Sequence, residues 1–120
     1  MKIIYIIDDD ETNNYIAELL IKSVLPDVKL TGFTNPIKAL SGFTDSNIEP
    51  NDVILLDLNM PQMDGWQFLE KFNEKNIACR VFILTSSLNP LDRELAANNP
   101  SVTGFISKPL TKEKINSMLA

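Results

Sequence analysis

Asp57 closes the apolar run Val53-Ile-Leu-Leu56, and the segment after it, Leu58-Asn-Met-Pro-Gln-Met-Asp-Gly65, carries the Pro and Gly of a short loop. A run that short reads as a buried strand, which delivers one carboxylate to its C-terminal end. Open α/β sheets place their chemistry on that side. Two more carboxylates, Asp8 and Asp9, follow the opening apolar run Lys2–Ile7. Thr85 and Ser86 end the run that starts at Arg80, and Lys108 stands just past another, before Pro109. The intervals are 48 residues from Asp9 to Asp57, 28 from Asp57 to Thr85 and 23 from Thr85 to Lys108. Each is about one strand–helix repeat, two for the first, so all of these positions fall on one rim.

Three carboxylates brought together repel, and one pair ~4 Å apart costs about 4 kcal/mol at an effective dielectric of 20. A hard divalent cation with oxygen ligands relieves this. A few carboxylates completed by water to an octahedron suit Mg²⁺. With the Lys108 ammonium added, three negative charges meet +2 and +1, and the site is neutral. It can then take a phosphoryl group, whose transfer depends on positioning and charge neutralisation. Asp57 would be the nucleophile, forming an aspartyl phosphate. Thr85 would donate a hydrogen bond to one phosphoryl oxygen, and Lys108 would pair with another. Taken singly, each residue has an ordinary reading: a turn Asp, an acidic helix N-terminus over Asp8–Glu11, a β-forming threonine, a solvated lysine. Their joint placement is what those readings leave unexplained.

The rest of the composition removes competing chemistries. The 120 residues contain no histidine, which excludes Ser-His-Asp and Cys-His nucleophiles, His-ligated metals and a phosphohistidine carrier. A net charge of −5 without a basic stripe argues against nucleic-acid binding. No apolar run approaches the ~20 residues of a membrane span, and Asp8-Asp-Asp-Glu11 breaks the opening run too early for a signal peptide. The single cysteine, Cys79, excludes an internal disulfide and fits a reducing, cytoplasmic setting. With no His to activate it, Cys79 reads as structural.

The elements that must position the rim alternate at a regular pace. Strands are expected at Lys2–Ile7, Val28–Phe33, Val53–Leu56, Arg80–Thr85 and Thr103–Ile106. Helix one presents Ile16, Leu19, Leu20 and Val24 on one face and stops at Pro26. Asn35-Pro36 and Asn89-Pro90 are start signals, Asn as N-cap and Pro at the first helical position. The helices they open carry Ile37, Leu40 and Phe43, and Leu91 and Leu95. Phe68, Leu69 and Phe72 form the inner face of the helix after Gly65, which Asp64 caps, with Trp66 and Met63 read as core. A last helix capped by Thr111 turns Ile115, Met118 and Leu119 inward. Five strands alternating with five helices imply a doubly wound α/β domain over residues 1–120 with a parallel sheet and no effector domain attached. Right-handed crossovers leave few topologies, of which order 2-1-3-4-5 is the common one at this size.

The whole chain resembles a response-regulator receiver domain of two-component signalling. The carrying residues are Ile6-Ile-Asp-Asp9, Leu55-Leu-Asp-Leu-Asn-Met-Pro-Gln-Met-Asp-Gly65, Leu84-Thr-Ser86 and Phe105-Ile-Ser-Lys-Pro109. The resemblance implies a flavodoxin-like (βα)5 fold with Asp57 as phospho-acceptor. It implies that Asp9 and Asp57 bind Mg²⁺ directly, Asp8 through water, and Asn59 through its backbone carbonyl. Thr85 matches the switch hydroxyl, Lys108 the site lysine, and Phe105 an aromatic switch position, here without the hydroxyl of the Tyr often found there. Asn59 and Ser87 match positions that tune phosphoryl lifetime. The implied donor is a histidine kinase or histidine phosphotransfer protein. The implied output is a downstream protein met by the face of the fourth helix, fifth strand and fifth helix.

Three rivals share parts of this pattern. A phosphatase of the haloacid-dehalogenase type uses similar residues, but its nucleophile follows the first strand as Asp-x-Asp, and it needs a cap segment. A flavodoxin-like redox module would need a hydroxyl-rich phosphate loop where this chain has four acids. A receiver-shaped module that is never phosphorylated would have no use for the complete set of Asp8, Asp9, Asp57, Thr85 and Lys108.

Overall fold

The structure, a computed structural model, describes residues 3–44 and 46–119. Ten elements alternate: β1 (Ile3–Ile7), α1 (Glu11–Val24), β2 (Lys29–Phe33), α2 (Pro36–Gly42), β3 (Val53–Leu56), α3 (Gly65–Asn73), β4 (Arg80–Thr85), α4 (Pro90–Ala97), β5 (Gly104–Ser107) and α5 (Lys112–Leu119). All four strand pairs are parallel, and the sheet order is β2-β1-β3-β4-β5. β3 and β4 begin and end where the apolar runs do. β2 and β5 start one residue later than expected, and Lys2 lies outside the described residues.

The helices start where side chains accept the free N–H groups of their first turns. Asp10 caps α1 through Thr12 and Asn13, and Asn35 caps α2 through Ile37 and Lys38. Asn89 accepts from Leu91 at the start of α4, and the Thr111 hydroxyl accepts from Lys114 at the start of α5. Asp64 and Gln67 close a reciprocal capping box on α3. The strand-to-helix turns are therefore short and fixed, which the rim requires.

Two apolar layers sandwich the sheet. Tyr5, Ile7, Ile54, Leu56 and Ile83 pack against α2 and α3 through Leu40, Phe68, Leu69 and Phe72, with Trp66 and Met63 flanking them. Ile4, Ile6, Val53, Leu55 and Leu84 pack against α1 and α5 through Ala17, Ile21, Ile115 and Met118. β3 is apolar at every position because both of its faces are buried.

Two helices, α1 and α4, present a different face from the one their large apolar residues suggest, and α2 departs at one position. In α1 the buried positions are Asn14, Ala17 and Ile21, whereas Ile16 and Leu19 are 49% and 54% exposed. Leu20 and Val24 sit at the edge of the core. In α2, Leu40 and the C-cap Phe43 are buried as expected, together with Ala39, while Ile37 is exposed; α4 buries Ala96 and exposes Leu91 and Leu95. Small residues face the sheet where the helices approach it closely, and large ones are left on the outer stripe. In α5, Ile115 and Met118 are buried as expected, and Leu119 is half-buried.

Gly65 fixes the loop after β3. A Cβ there would lie 2.7 Å from the Asp57 carbonyl oxygen and 2.9 Å from Leu58 Cα, both backbone atoms that cannot step aside cheaply. Its N–H donates to the Leu58 carbonyl at 2.9 Å. Gly65→Ala should therefore lower stability by about 1–3 kcal/mol in a urea titration, while Gly42→Ala, with open space around the added methyl, should not.

Candidate functional site

Three of the rim residues are the first past a strand end, and the backbone N–H of each makes one last rung to the neighbouring strand. Asp8 donates to the Phe33 carbonyl at 3.1 Å, Asp57 to Ile7 at 2.9 Å and Lys108 to Thr85 at 2.8 Å. Thr85 is itself the last residue of β4, in register with Ser107. The parallel ladder thus sets the height of all four residues before any side chain acts. Asn14, buried one turn into α1, adds a further hold: its Nδ2 donates to the Asp8 carbonyl at 3.0 Å. The sequence reading missed this residue. It lies off the stripe of Ile16, Leu19, Leu20 and Val24 that the apolar spacing picks out, so no local signal marked it.

The side chains meet as the spacing required. Carboxylate oxygens of Asp8, Asp9 and Asp57 lie within 4.8 Å of one another, Asp8 and Asp57 buried and Asp9 exposed. Lys108 Nζ is 2.8 Å from Asp8 Oδ2 and 3.9 Å from Asp57 Oδ2. The other Asp8 oxygen accepts the Asp10 N–H at 2.9 Å, and Asp57 Oδ1 accepts the Asn59 N–H at a long 3.4 Å. Thr85 is fully buried beside them; Ser86, next along, is exposed. A crevice of about 400 Å³, lined by Asn13, Ile16, Leu84, Ser86 and Pro109 among others, reaches Asp8 and Lys108.

Burial pushes the Asp57 carboxyl above its ordinary range. Lys108 pulls it back down, the Asp8 charge raises it again, and backbone hydrogen bonds from Asn59 and Leu58 oppose the rise. The rim thus carries more negative charge than its one nearby ammonium offsets. Oxygen-only donors, two of them buried and one open to water, form a set that a hard divalent ion such as Mg²⁺ fits. Cys79 is no rival nucleophile, since burial and the Asp52 charge push its thiol up to about 11.

Phe105 is half-buried on β5. The Arg93 guanidinium of α4 lies over its ring at 4.7 Å and donates to Ser107 Oγ at 3.2 Å. Leu88, before α4, and Leu91 and Leu95 on it are exposed.

The sequence matches the model of the response regulator receiver domain over residues 4–120. The chain belongs to the response regulator receiver family. This receiver is a phosphorylation-based switch of two-component signalling. It is 26% identical over 117 residues to a two-component response regulator of Oryza sativa subsp. japonica, spanning 98% of this chain and 91% of that protein. It is 30% identical over 112 residues to the nitrate/nitrite response regulator NarL of Escherichia coli K12, spanning 93% of this chain and 50% of NarL. Against hybrid signal transduction histidine kinase L of Dictyostelium discoideum, 26% identical over 120 residues, the match covers 97% of this chain but only 7% of the kinase. A solved two-component response regulator of Legionella pneumophila superposes with a TM-score of 0.80 at 27% identity, over 98% of this chain and 95% of that one. One from Cytophaga hutchinsonii gives 0.83 at 25%, over 98% and 93%. Among the described residues, no helix is long and apolar enough to cross a membrane.

The raised Asp57 carboxyl has a thermodynamic consequence. A group that holds its proton more tightly in the fold than in the unfolded chain adds stability at low pH. That stability is lost as pH rises through the raised folded value. At neutral pH without divalent ions, Asp57→Asn should therefore melt a few degrees above wild type in a calorimetric scan. Its advantage should shrink as pH falls into the carboxylate range. Added Mg²⁺ should raise the wild-type midpoint more than that of the variant.

Proposed function

We propose that residues 1–120 act as a single receiver unit in which Asp57 takes a phosphoryl group from a partner phosphohistidine. The observation that carries this reading is the convergence of Asp8, Asp9 and Asp57 within 4.8 Å, with Lys108 between the two buried acids. Asp9 and Asp57 would hold Mg²⁺ directly, Asp8 through water and Asn59 through its backbone carbonyl. When bound, the ion supplies charge neutralisation and a fixed seat for phosphoryl oxygens.

The chain's own residues do the rest. An Asp57 carboxylate oxygen forms the new P–O bond as the P–N bond to the donor imidazole breaks, and the nitrogen leaves with the bonding pair. Lys108 turns from Asp8 toward the incoming phosphoryl oxygens, and the Thr85 hydroxyl donates to one of them. Water later cleaves the acyl phosphate, returning the carboxylate and inorganic phosphate. The protein is thus a switch that resets itself, not an enzyme turning over a separate substrate.

A donor must bring its phosphohistidine to the mouth of the crevice beside Asp8. Ile16, which α1 leaves exposed and which lines that crevice, offers an apolar contact there for a histidine kinase or phosphotransfer protein. The downstream partner would read the face of α4, β5 and α5. α4 exposes Leu91 and Leu95, and a groove of about 480 Å³ is lined by Arg93 of α4, Phe105 of β5 and Met118 of α5 among others. Phosphorylation shifts the population of that face through Thr85 and Phe105.

Incubation with a small phosphodonor and Mg²⁺ should give a base-labile, hydroxylamine-sensitive label on wild type and none on Asp57→Asn. EDTA should block it. Persistent labelling of the variant would count against Asp57 as acceptor. Lys108→Ala should keep Mg²⁺ binding, yet its Phe105 ring resonances should no longer respond to fluoroberyllate.

A further inference from the structure

Thr85 does not end β4 alone. Its Oγ1 accepts the Ser87 backbone N–H at 3.1 Å, and Ser87 Oγ donates to Asp92 Oδ2 at 2.6 Å. The second Asp92 oxygen, Oδ1, accepts the indole N–H of Trp66 at 3.1 Å. Ser87 Oγ also accepts the N–H of Asn89, the cap of α4. One carboxylate in the first turn of α4 therefore bridges a side chain of α3 and the loop that follows Thr85. Ser87, Asp92 and Trp66 are all half-buried, so these hydrogen bonds are partly shielded from water.

The loop cannot yield one bond at a time. Movement of the Thr85 hydroxyl toward Asp57 carries it away from the Ser87 N–H unless the loop follows. Ser87 is tied to Asp92 by a bond to an ionised acceptor, stronger than a neutral one. Asp92 in turn is tied to Trp66, which packs against the core under α3. A ligand on Asp57 can favour one arrangement only through interactions that differ between the two. The new Thr85 hydrogen bond at the site is opposed by the cost of breaking the Ser87–Asp92–Trp66 chain behind it.

We propose that Asp92 is a positioning residue: through Ser87 and Trp66 it latches the loop after β4 in its resting arrangement, so that phosphorylation of Asp57 releases α4 from α3. The latch rests on Asp57 being the phosphoryl acceptor. Cutting it removes part of the opposition, so a phosphoryl mimic must bind more tightly, even though the free protein is left with fewer hydrogen bonds.

The test titrates the full chain with fluoroberyllate at saturating Mg²⁺, with binding read by fluorine NMR. Emission of Trp66, the one tryptophan of the sequence, reports its environment. Wild-type emission should shift on saturation. Ser87→Ala and Asp92→Ala should each bind fluoroberyllate about 3- to 10-fold more tightly than wild type. The emission of Asp92→Ala should start displaced from that of the resting wild type. Asp92→Ala should also melt lower, since α4 loses an acid from its first turn; tighter binding alongside lower stability is a pairing that a merely structural role does not produce. If either variant fails to bind more tightly, or wild-type emission stays fixed on saturation, the latch is wrong and the acceptor reading stands. If wild type does not bind fluoroberyllate at all, the acceptor reading itself falls, and the latch with it.

Discussion

Two buried carboxylates, Asp8 and Asp57, share one ammonium at the end of a parallel sheet, with a third acid beside them. Neither buried acid can move away, because each is held by the last rung of the ladder to the next strand. Asp8 is held again by Asn14, and the loop after Asp57 is pinned by the close approach of Gly65. The fold therefore maintains an electrostatic imbalance that it could have relaxed by spreading its acids apart. Uncompensated charge held in place at the expense of stability is a common mark of functional sites.

That imbalance gives each surrounding residue its task. Lys108 sits closer to Asp8 than to Asp57, leaving Asp57 the less compensated of the two. Thr85 is buried and its hydroxyl oxygen accepts the Ser87 N–H, so a displacement of that hydroxyl pulls on the loop after β4. The loop leads directly into α4, where the adjacent residues Asp92 and Arg93 reach opposite ways, one to Trp66 of α3 and one to Phe105 and Ser107 of β5. A helix held by one side chain on each flank and carrying exposed leucines is well suited to pass on a change made below it. The Arg93 guanidinium also gives the Phe105 ring a defined partner that needs no ring hydroxyl.

What could be read from the sequence was whatever local rules decide. β3 and β4 were legible to the residue, because strands buried on both faces are apolar runs with sharp ends. Asn35-Pro36, Asn89-Pro90, Asp64 and Thr111 marked helix starts, because capping is an interaction between near neighbours. The rim followed from strand order and repeat length alone. The inner faces of α1 and α4 were not legible, and α2 was misread at Ile37. There Ala17, Ala39 and Ala96 lie against the sheet while Ile16, Ile37 and Leu91 face outward, and periodicity weighs large residues over small ones. Asn14 and the Trp66–Asp92 hydrogen bond were equally hidden. The second joins residues 26 apart in sequence, and no local pattern announces it.

The proposed mechanism requires the acids that follow β1 and β3 to share one divalent ion. Crystals grown with Mn²⁺ in place of Mg²⁺ allow the metal to be located by its anomalous scattering. One peak is expected within coordination distance of both Asp9 and Asp57, with Lys108 still beside the rim. A peak bound to only one of these acids, or none at the rim at saturating Mn²⁺, would contradict that sharing.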